Sequence, residues 1–324
     1  MSDLSVATGI GSMPGTSVAE AVAVVTGELP DLPHLPELPA RGAGADMVGR
    51  TGALLTAVST DFALTTVPTG WQISGQVGPD MRRARSWLGE DCDRLEQALT
   101  GTSGTVKVQV CGPWTWAAAV EDAAGRRLVR DEGFVGELSQ ALAAATAAHL
   151  ADLRRRLPER AFLVQFDEPG LPAVLDGRIP TASGLGRLAV VPAARAAAVV
   201  GDVVAAVETP SLLHCCADFP FAVARSAGVA GISWDLATRT EPDDVAEAFE
   251  SGLRLFAGAV QWGDSPDDAT RRFTSMWQRT GLGGDAARQV AVTPACGLAT
   301  ASPDQARQAL TAATRLAARL AEDL

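Results

Sequence analysis

The chain has 324 residues and a net charge of −11, and an acidic surface repels phosphate backbones and anionic lipid, which argues against nucleic-acid and membrane partners. Hydrophobic residues make up 47% and charged residues 20%, the composition of a folded protein rather than a disordered one. No apolar run approaches the roughly 18 residues of a transmembrane helix and the N-terminus lacks the features of a secretory signal, so we expect a cytoplasmic protein.

Short apolar runs rich in Val, Ile, Leu or Phe recur along the chain, as expected for strands buried on both faces. The clearest runs are Ser5–Ile10, Thr105–Val110, Ala161–Phe166, Ser211–His214, Val229–Trp234, Leu253–Val260 and Val290–Thr293. Helical periodicity fills the segments Phe134–Arg156, Gly186–Val207, Pro242–Ser251, Pro266–Gly281 and Pro303–Asp323. Three of these segments begin with a proline, which suits the first turn of a helix.

This alternation predicts an α/β protein with a parallel sheet, and seven or eight units in one chain predict a single-domain (β/α)8 TIM barrel over residues 1–324. The eighth strand is either Leu35–Leu38 or Gly70–Ser74, with the other in an excursion around residues 30–104 near the barrel mouth. The proline-dense segment Pro30–Pro39 cannot form a long helix. A doubly wound open sheet is the alternative, but no GxGxxG turn follows the first strand.

Residues with metal-binding chemistry follow several of the predicted strands, where barrels carry their functional groups. His214 and Cys216 form an H-x-C pair whose alternate side chains point the same way. Cys296 follows the last strand, and Asp235 ends another. Two thiolates, an imidazole and a replaceable carboxylate form a plausible zinc site that leaves one position for a substrate thiol. The competing interpretation is that each of these residues only packs in the core.

The remaining cysteines and histidines fit this pattern less well. Cys92 and Cys111 lie away from it and are expected to pack as small apolar side chains. Cys215 points opposite to its neighbours, so we expect a structural role and keep it as a reserve metal ligand. His34 and His149 are expected at the surface.

Candidate substrate contacts follow other strands. Asp167 and Glu168 can hold the amino group of a substrate, although either carboxylate can instead cap a helix or bind backbone N–H groups; Asp167 is the stronger candidate. The backbone of Ile10, Gly11 and Ser12 can bind a carboxylate through its N–H groups. Trp114 is the tryptophan we place at the substrate site, where the ring can stack on an aromatic ligand or simply pack.

Five segments, in order along nearly the whole chain, resemble a known family. They are TGIGSMPGT from Thr8, GPWTW from Gly112, QFDEP around Asp167, HCC from His214 and TPACGLAT around Cys296. The chain resembles the C-terminal catalytic barrel of cobalamin-independent methionine synthase, within a wider group that includes uroporphyrinogen decarboxylase-like barrels.

The resemblance implies a methyltransferase that uses Zn²⁺ to bind homocysteine as a thiolate and methylates it to methionine. It implies zinc ligands at His214, Cys216 and Cys296, with Asp235 where the family has a glutamate. It also implies that Asp167 contacts the amino group and the Ile10–Ser12 backbone the carboxylate of homocysteine. The implied methyl donor is methyltetrahydrofolate or a methylcorrinoid protein.

Two departures from the family bear on this implied function. The chain is too short to hold the N-terminal barrel of the full-length enzymes. Asp264 stands where the family has a catalytic histidine before Ser-Pro, so we take Asp264 as the candidate catalytic residue at that position. Two alternatives stay open: zinc-dependent alkyl transfer to a different thiol, and a non-catalytic barrel that binds zinc or an amino acid.

Overall fold

The main sheet of the protein has six parallel strands. The computed structural model describes residues 5–322, except the side chain of Pro266. Its strands are β1 (Leu64–Val67), β2 (Gly70–Ile73), β3 (Gly104–Cys111), β4 (Val120–Glu121), β5 (Arg160–Asp167), β6 (Ser211–Cys215), β7 (Gly231–Asp235), β8 (Arg254–Val260) and β9 (Ala291–Pro294). The main sheet has the order β3-β5-β6-β7-β8-β9, and β1, β2 and β4 form a separate small sheet. The predicted α/β fold with a parallel sheet is therefore confirmed.

Helices connect these strands. They are α1 (Val18–Glu28), α2 (Met47–Leu55), α3 (Pro79–Leu99), α4 (Pro113–Ala119), α5 (Glu132–Arg156), α6 (Leu171–Leu175), α7 (Ala193–Val207), α8 (Phe221–Ser226), α9 (Pro242–Glu250), α10 (Pro266–Thr280), α11 (Gly284–Ala287) and α12 (Pro303–Glu322). Short 3-10 turns cover Pro39–Arg41, Thr60–Phe62 and Leu128–Arg130. None of the helices in the described part of the chain combines the length and the apolar character that crossing a bilayer requires.

The ends of the helices follow from local sequence. Ser265 caps α10, and its side chain and that of Asp268 form a reciprocal capping box. Gly281 then ends α10 in the left-handed conformation. The predicted helix Gly186–Val207 is too long: α7 starts only at Ala193. Pro192 stands before it as an extended residue, which sets the start of the helix. The predicted end of α12, Asp323, lies outside the described residues.

Single backbone pairings continue the parallel order at both edges of the main sheet. Ala7 pairs with Val292 of β9, and His34 pairs with Lys107 of β3. Ser12 in turn pairs with Glu37. The segment predicted as Leu35–Leu38 therefore lies beside the main sheet, whereas Gly70–Ile73 belongs to the small sheet.

The apolar core includes a compact cluster contributed by six different segments of the chain. Its members come from the main strands and from the two segments paired at the edges: Val6, Leu32, Leu163, Leu212, Phe256 and Ala291. Residues from both edges of the sheet thus pack together, which requires the sheet to curl.

The prediction that His34 and His149 lie at the surface is wrong. His34 is fully buried, with no hydrogen-bond partner for either ring nitrogen within the described chain. It packs against Gly9, where a Cβ would overlap the imidazole. His149 is only 8% exposed on α5, because this long alanine-rich helix is covered by its neighbours rather than by water. Cys92, Cys111 and Cys215 are buried as expected.

Candidate active site

Two cysteines meet at the carboxyl end of the main sheet. Cys216 directly follows β6 and Cys296 follows β9, and their Sγ atoms are 3.2 Å apart. The hydrogen bond between the two sulfurs lowers the pKa of Cys296 to about 7. The same hydrogen bond, together with burial, raises the pKa of Cys216. The pair therefore favours a state with one thiolate and one thiol.

His214 lies on β6, two residues before Cys216. Its Nδ1 is 3.0 Å from Ser233 Oγ and 3.2 Å from the Ser233 carbonyl oxygen. Burial and, to a smaller extent, the charge of Lys107 together lower the pKa of His214 to about 3, so the ring is neutral. Because a carbonyl oxygen only accepts hydrogen bonds, Nδ1 carries the proton, which leaves Nε2 as the nitrogen able to bind a metal ion.

Asp235 ends β7 and is partly buried. Its Oδ1 accepts hydrogen bonds from the Ala237 N–H at 2.8 Å and from Gln261 Nε2 at 3.1 Å. Across residues 5–322, no three His, Cys, Asp or Glu side chains converge to metal-binding distance. The structure thus brings Cys216 and Cys296 together but does not join His214 or Asp235 to them.

Asp167 is a buried acid at the end of β5. Its Oδ1 accepts a hydrogen bond from Gln165 Nε2 at 2.7 Å. Burial raises the pKa of Asp167, and the nearby carboxylate of Glu37 raises it further, while Lys107 opposes the shift. Two buried acids and one buried lysine therefore lie within electrostatic reach of each other beside the cysteine pair.

The segment of Ile10, Gly11 and Ser12 is held through its carbonyl oxygens, and that of Ser12 accepts a hydrogen bond from the Leu298 N–H at 2.8 Å. The Ile10 carbonyl oxygen accepts hydrogen bonds from Lys107 Nζ at 2.8 Å and Gln165 Nε2 at 2.9 Å. The Gly11 carbonyl accepts one from the Glu37 N–H at 3.1 Å. Within the described chain, the N–H groups of Gly11 and Ser12 donate no hydrogen bond. Two adjacent free N–H groups are suited to binding an anionic oxygen.

The carboxylate of Glu168 caps the start of α4. Its carboxylate accepts hydrogen bonds from the Trp114 N–H at 2.9 Å, the Thr115 N–H at 2.7 Å and the Thr115 hydroxyl at 2.6 Å. Burial raises the pKa of Glu168 to about 7, and these three hydrogen bonds oppose the shift. A Cβ at Gly112 would lie 2.5 Å from the carboxyl group, so this position accommodates only glycine. The indole of Trp114 is itself buried, and its Nε1 donates to the Ala196 carbonyl.

Asp264 lies in the loop after β8, where its carboxylate has partners within the chain. Asp264 Oδ2 accepts hydrogen bonds from Arg272 Nη1 at 2.6 Å and from the Gln261 N–H at 2.8 Å. The neighbouring Trp262 is 54% exposed. The loop thus presents an aromatic ring to solvent while Asp264 orders its backbone.

Four buried polar residues beside Asp167 were not among the predicted site residues: Glu37, Lys107, Gln109 and Gln165. They form one network, in which Gln109 Nε2 donates to the Leu35 carbonyl at 2.7 Å and to Glu37 at 3.3 Å. Burial lowers the pKa of Lys107 to about 7. The sequence does carry a signal for two of them, because Lys107 and Gln109 alternate with valines inside an otherwise apolar strand.

The sequence matches one family model over most of its length. Residues 4–319 match the model described as "Cobalamin-independent synthase, Catalytic domain". The chain belongs to this family. The predicted membership is confirmed. No curated protein matches the sequence significantly.

Solved structures add a fold comparison. A B12-independent methionine synthase from Shewanella sp. W3-18-1, in complex with selenomethionine, is similar with a TM-score of 0.50 at 15% identity. The similarity covers 71% of this chain and 65% of that one, so this chain spans about two thirds of that protein's length. The carboxyl transferase domain of Rhizobium etli pyruvate carboxylase aligns with a TM-score of 0.32 at 12% identity, over 70% and 43% of the two chains.

Proposed function

We propose that this member of the cobalamin-independent synthase family transfers a methyl group to the thiol of homocysteine in a zinc-dependent reaction. The observation that carries the proposal is the contact between Cys216 and Cys296, 3.2 Å apart, at the carboxyl end of the sheet. Sulfur pairs of this kind suit a soft divalent ion. Beside them lie a buried acid, Asp167, and the free N–H groups of Gly11 and Ser12.

The donor set fits zinc. Two thiolates on a tetrahedral zinc ion lie about 3.8 Å apart, since each Zn–S bond is about 2.3 Å. The observed 3.2 Å separation of the sulfurs requires only a small movement to reach this. His214 is neutral and its Nδ1 is held by Ser233, which is the arrangement that prepares Nε2 for a metal. We therefore assign Cys216, Cys296 and His214 as ligands, with Asp235 as the adjacent carboxylate.

Bound zinc lowers the pKa of a substrate thiol and so provides a strong nucleophile at neutral pH. The protein's own groups bind and orient the amino acid. Asp167, with Glu37 beside it, receives the ammonium group, and the N–H groups of Gly11 and Ser12 receive the carboxylate. In this proposal, Glu168 and Trp114 pack behind the site and do not contact the substrate. Asp264 shapes the mouth loop through Arg272.

We also propose that the chain is one closed (β/α)8 barrel over residues 1–324. The pairings of Ala7 with Val292, Ser12 with Glu37 and His34 with Lys107 support closure, because together they link β9 to β3 through residues 6–13 and 33–37. In such a barrel the carboxyl ends of all strands surround one mouth. The methyl donor then approaches from the side of the exposed Trp262.

A methionine assay tests the proposal. Zinc-loaded protein is incubated with L-homocysteine and either methyltetrahydrofolate or methylcobalamin, and we expect methionine with one of the two donors. Zinc and homocysteine binding without product from either donor contradicts methyl transfer and favours a binding protein. Product only from another thiol favours alkyl transfer to that thiol.

Variants test the metal assignment separately. Cys216→Ser and Cys296→Ser are expected to lose zinc. Cys92→Ser, which changes a buried cysteine far from both in the sequence, is expected to keep it. Stoichiometric zinc in both site variants refutes the assignment. Asp167→Ala is expected to keep zinc but to bind homocysteine more weakly.

A further inference from the structure

Lys107 is a fully buried lysine that donates its shorter hydrogen bond to a backbone carbonyl. It lies on β3, and its ammonium donates to the Ile10 carbonyl at 2.8 Å and to Gln109 Oε1 at 3.3 Å. Both acceptors are neutral groups. Burying an ammonium group costs free energy unless an opposite charge pairs with it directly. Stability alone therefore does not explain a lysine at this position.

The Ile10 carbonyl belongs to the peptide group that ends in the Gly11 N–H. This peptide is trans and planar, so its carbonyl oxygen and its N–H point in opposite directions. Lys107 from β3 and Gln165 from β5 hold the oxygen from two strands. Their hydrogen bonds therefore fix the direction of the free Gly11 N–H.

The charge of Lys107 adds a second effect. The ammonium lies 2.8 Å from the Ile10 carbonyl oxygen, across the peptide group that carries the Gly11 N–H. In an interior shielded from water, a positive charge at this distance strengthens the binding of an anion there. Burial lowers the pKa of Lys107 to about 7, and the charges of Asp167 and Glu37 oppose this shift.

We propose that Lys107 is the positioning residue of the carboxylate subsite: it holds the Ile10–Gly11 peptide so that its N–H faces the α-carboxylate of the bound amino acid. This inference rests on the proposed function, since it assumes an amino-acid thiol at the site. It assigns to Lys107 no contact with the reacting sulfur. Through this peptide, Lys107 makes the site prefer a substrate that carries a carboxylate.

A pair of thiols that differ only in the carboxylate tests this role. L-homocysteine and 3-aminopropane-1-thiol are titrated calorimetrically into zinc-loaded wild type and Lys107→Met. We expect the Kd of homocysteine to rise about tenfold or more in the variant, while the Kd of 3-aminopropane-1-thiol stays within about twofold. Lys107→Gln, which keeps a donor but not the charge, should show the same selectivity more weakly.

The matched control is Thr293→Val, a nearly isosteric change at a buried threonine of β9 whose hydroxyl lacks a partner within the described residues. It should bind both thiols as wild type does. Equal weakening of both thiols in the Lys107 variants overturns the inference, as does failure of both variants to fold while Thr293→Val folds. A wild type that binds the two thiols equally overturns the inference but leaves the thiol site standing. A wild type that binds neither overturns the proposed function as well.

Discussion

The sulfur atoms of Cys216 and Cys296 are in contact at 3.2 Å although 80 positions separate them in the chain. They follow β6 and β9, which have β7 and β8 between them in the sheet. In a flat sheet, three strand spacings would separate such residues by about 14 Å. The contact therefore exists only because the carboxyl ends of the strands curl toward a common axis.

We predict that oxidation of the metal-free protein joins these two sulfurs. The pair needs to approach only to about 2.05 Å, the length of a disulfide bond. Each thiol loses a proton and an electron to the oxidant, for which diamide serves. The expected product is one internal disulfide between Cys216 and Cys296, detected by peptide mass mapping. Prior loading with zinc should prevent it. Equal oxidation with and without zinc, or a disulfide at the buried Cys92, contradicts this prediction.

Removing the side-chain partner of His214 should weaken zinc binding without abolishing it. Ser233 Oγ lies 3.0 Å from His214 Nδ1, and the Ser233 carbonyl remains as a second acceptor in a Ser233→Ala variant. We expect zinc affinity to fall by about tenfold, the lower end of the range for groups that orient a metal ligand. Competition with a chromogenic chelator measures this, with Thr293→Val as the control. Unchanged affinity would show that the Ser233 hydroxyl does not orient a zinc ligand.

Glu168 and Asp167 are adjacent in the chain but should respond differently to mutation. Glu168→Ala removes the acceptor of two backbone N–H groups at the start of α4, so we expect a loss of about 3 kcal/mol in the free energy of unfolding. The affinity for homocysteine should hardly change. Asp167→Ala should lower that affinity with little change in stability. Urea denaturation and calorimetry on both variants measure the two effects, and a reversal of the pattern would make Glu168 the substrate contact.

Most of the strands were predictable from sequence because each is a short apolar run that is buried on both faces. β3 and β5 extend only one or two residues beyond the predicted Thr105–Val110 and Ala161–Phe166. The cysteine pair was predictable for a related reason, since both cysteines lie within two residues of the end of a strand. Whether His214 or Asp235 joins the cysteines around a metal stays a prediction.

The sequence reveals less about the interior of the sheet. Lys107 and His34 are polar residues in segments that pair with each other, and their burial depends on neighbours far along the chain. The alternation of Lys107 with valines marks it as unusual for a strand, but it does not show which distant groups cover the side chain. The contacts of Glu168 are similarly hidden, because its partners Trp114 and Thr115 lie more than 50 positions away.

The buried His149 should make the protein less stable in mild acid. Burial lowers its pKa from 6.5 to about 4, so between these values the unfolded chain binds a proton that the folded protein does not. The contribution of His149 to the free energy of unfolding is therefore fully present above its pKa in the unfolded chain. It is lost as the pH falls toward its pKa in the folded protein, and the loss is about 2 kcal/mol at about pH 5. His149→Gln should reduce the loss between about pH 7.5 and about pH 5 by this amount in urea denaturation. Gly136→Ala, on the same helix with open space around the new methyl group, should keep the wild-type pH dependence. An identical acid response in wild type and His149→Gln would mean that the imidazole is already protonated, or accessible to water, in the folded protein.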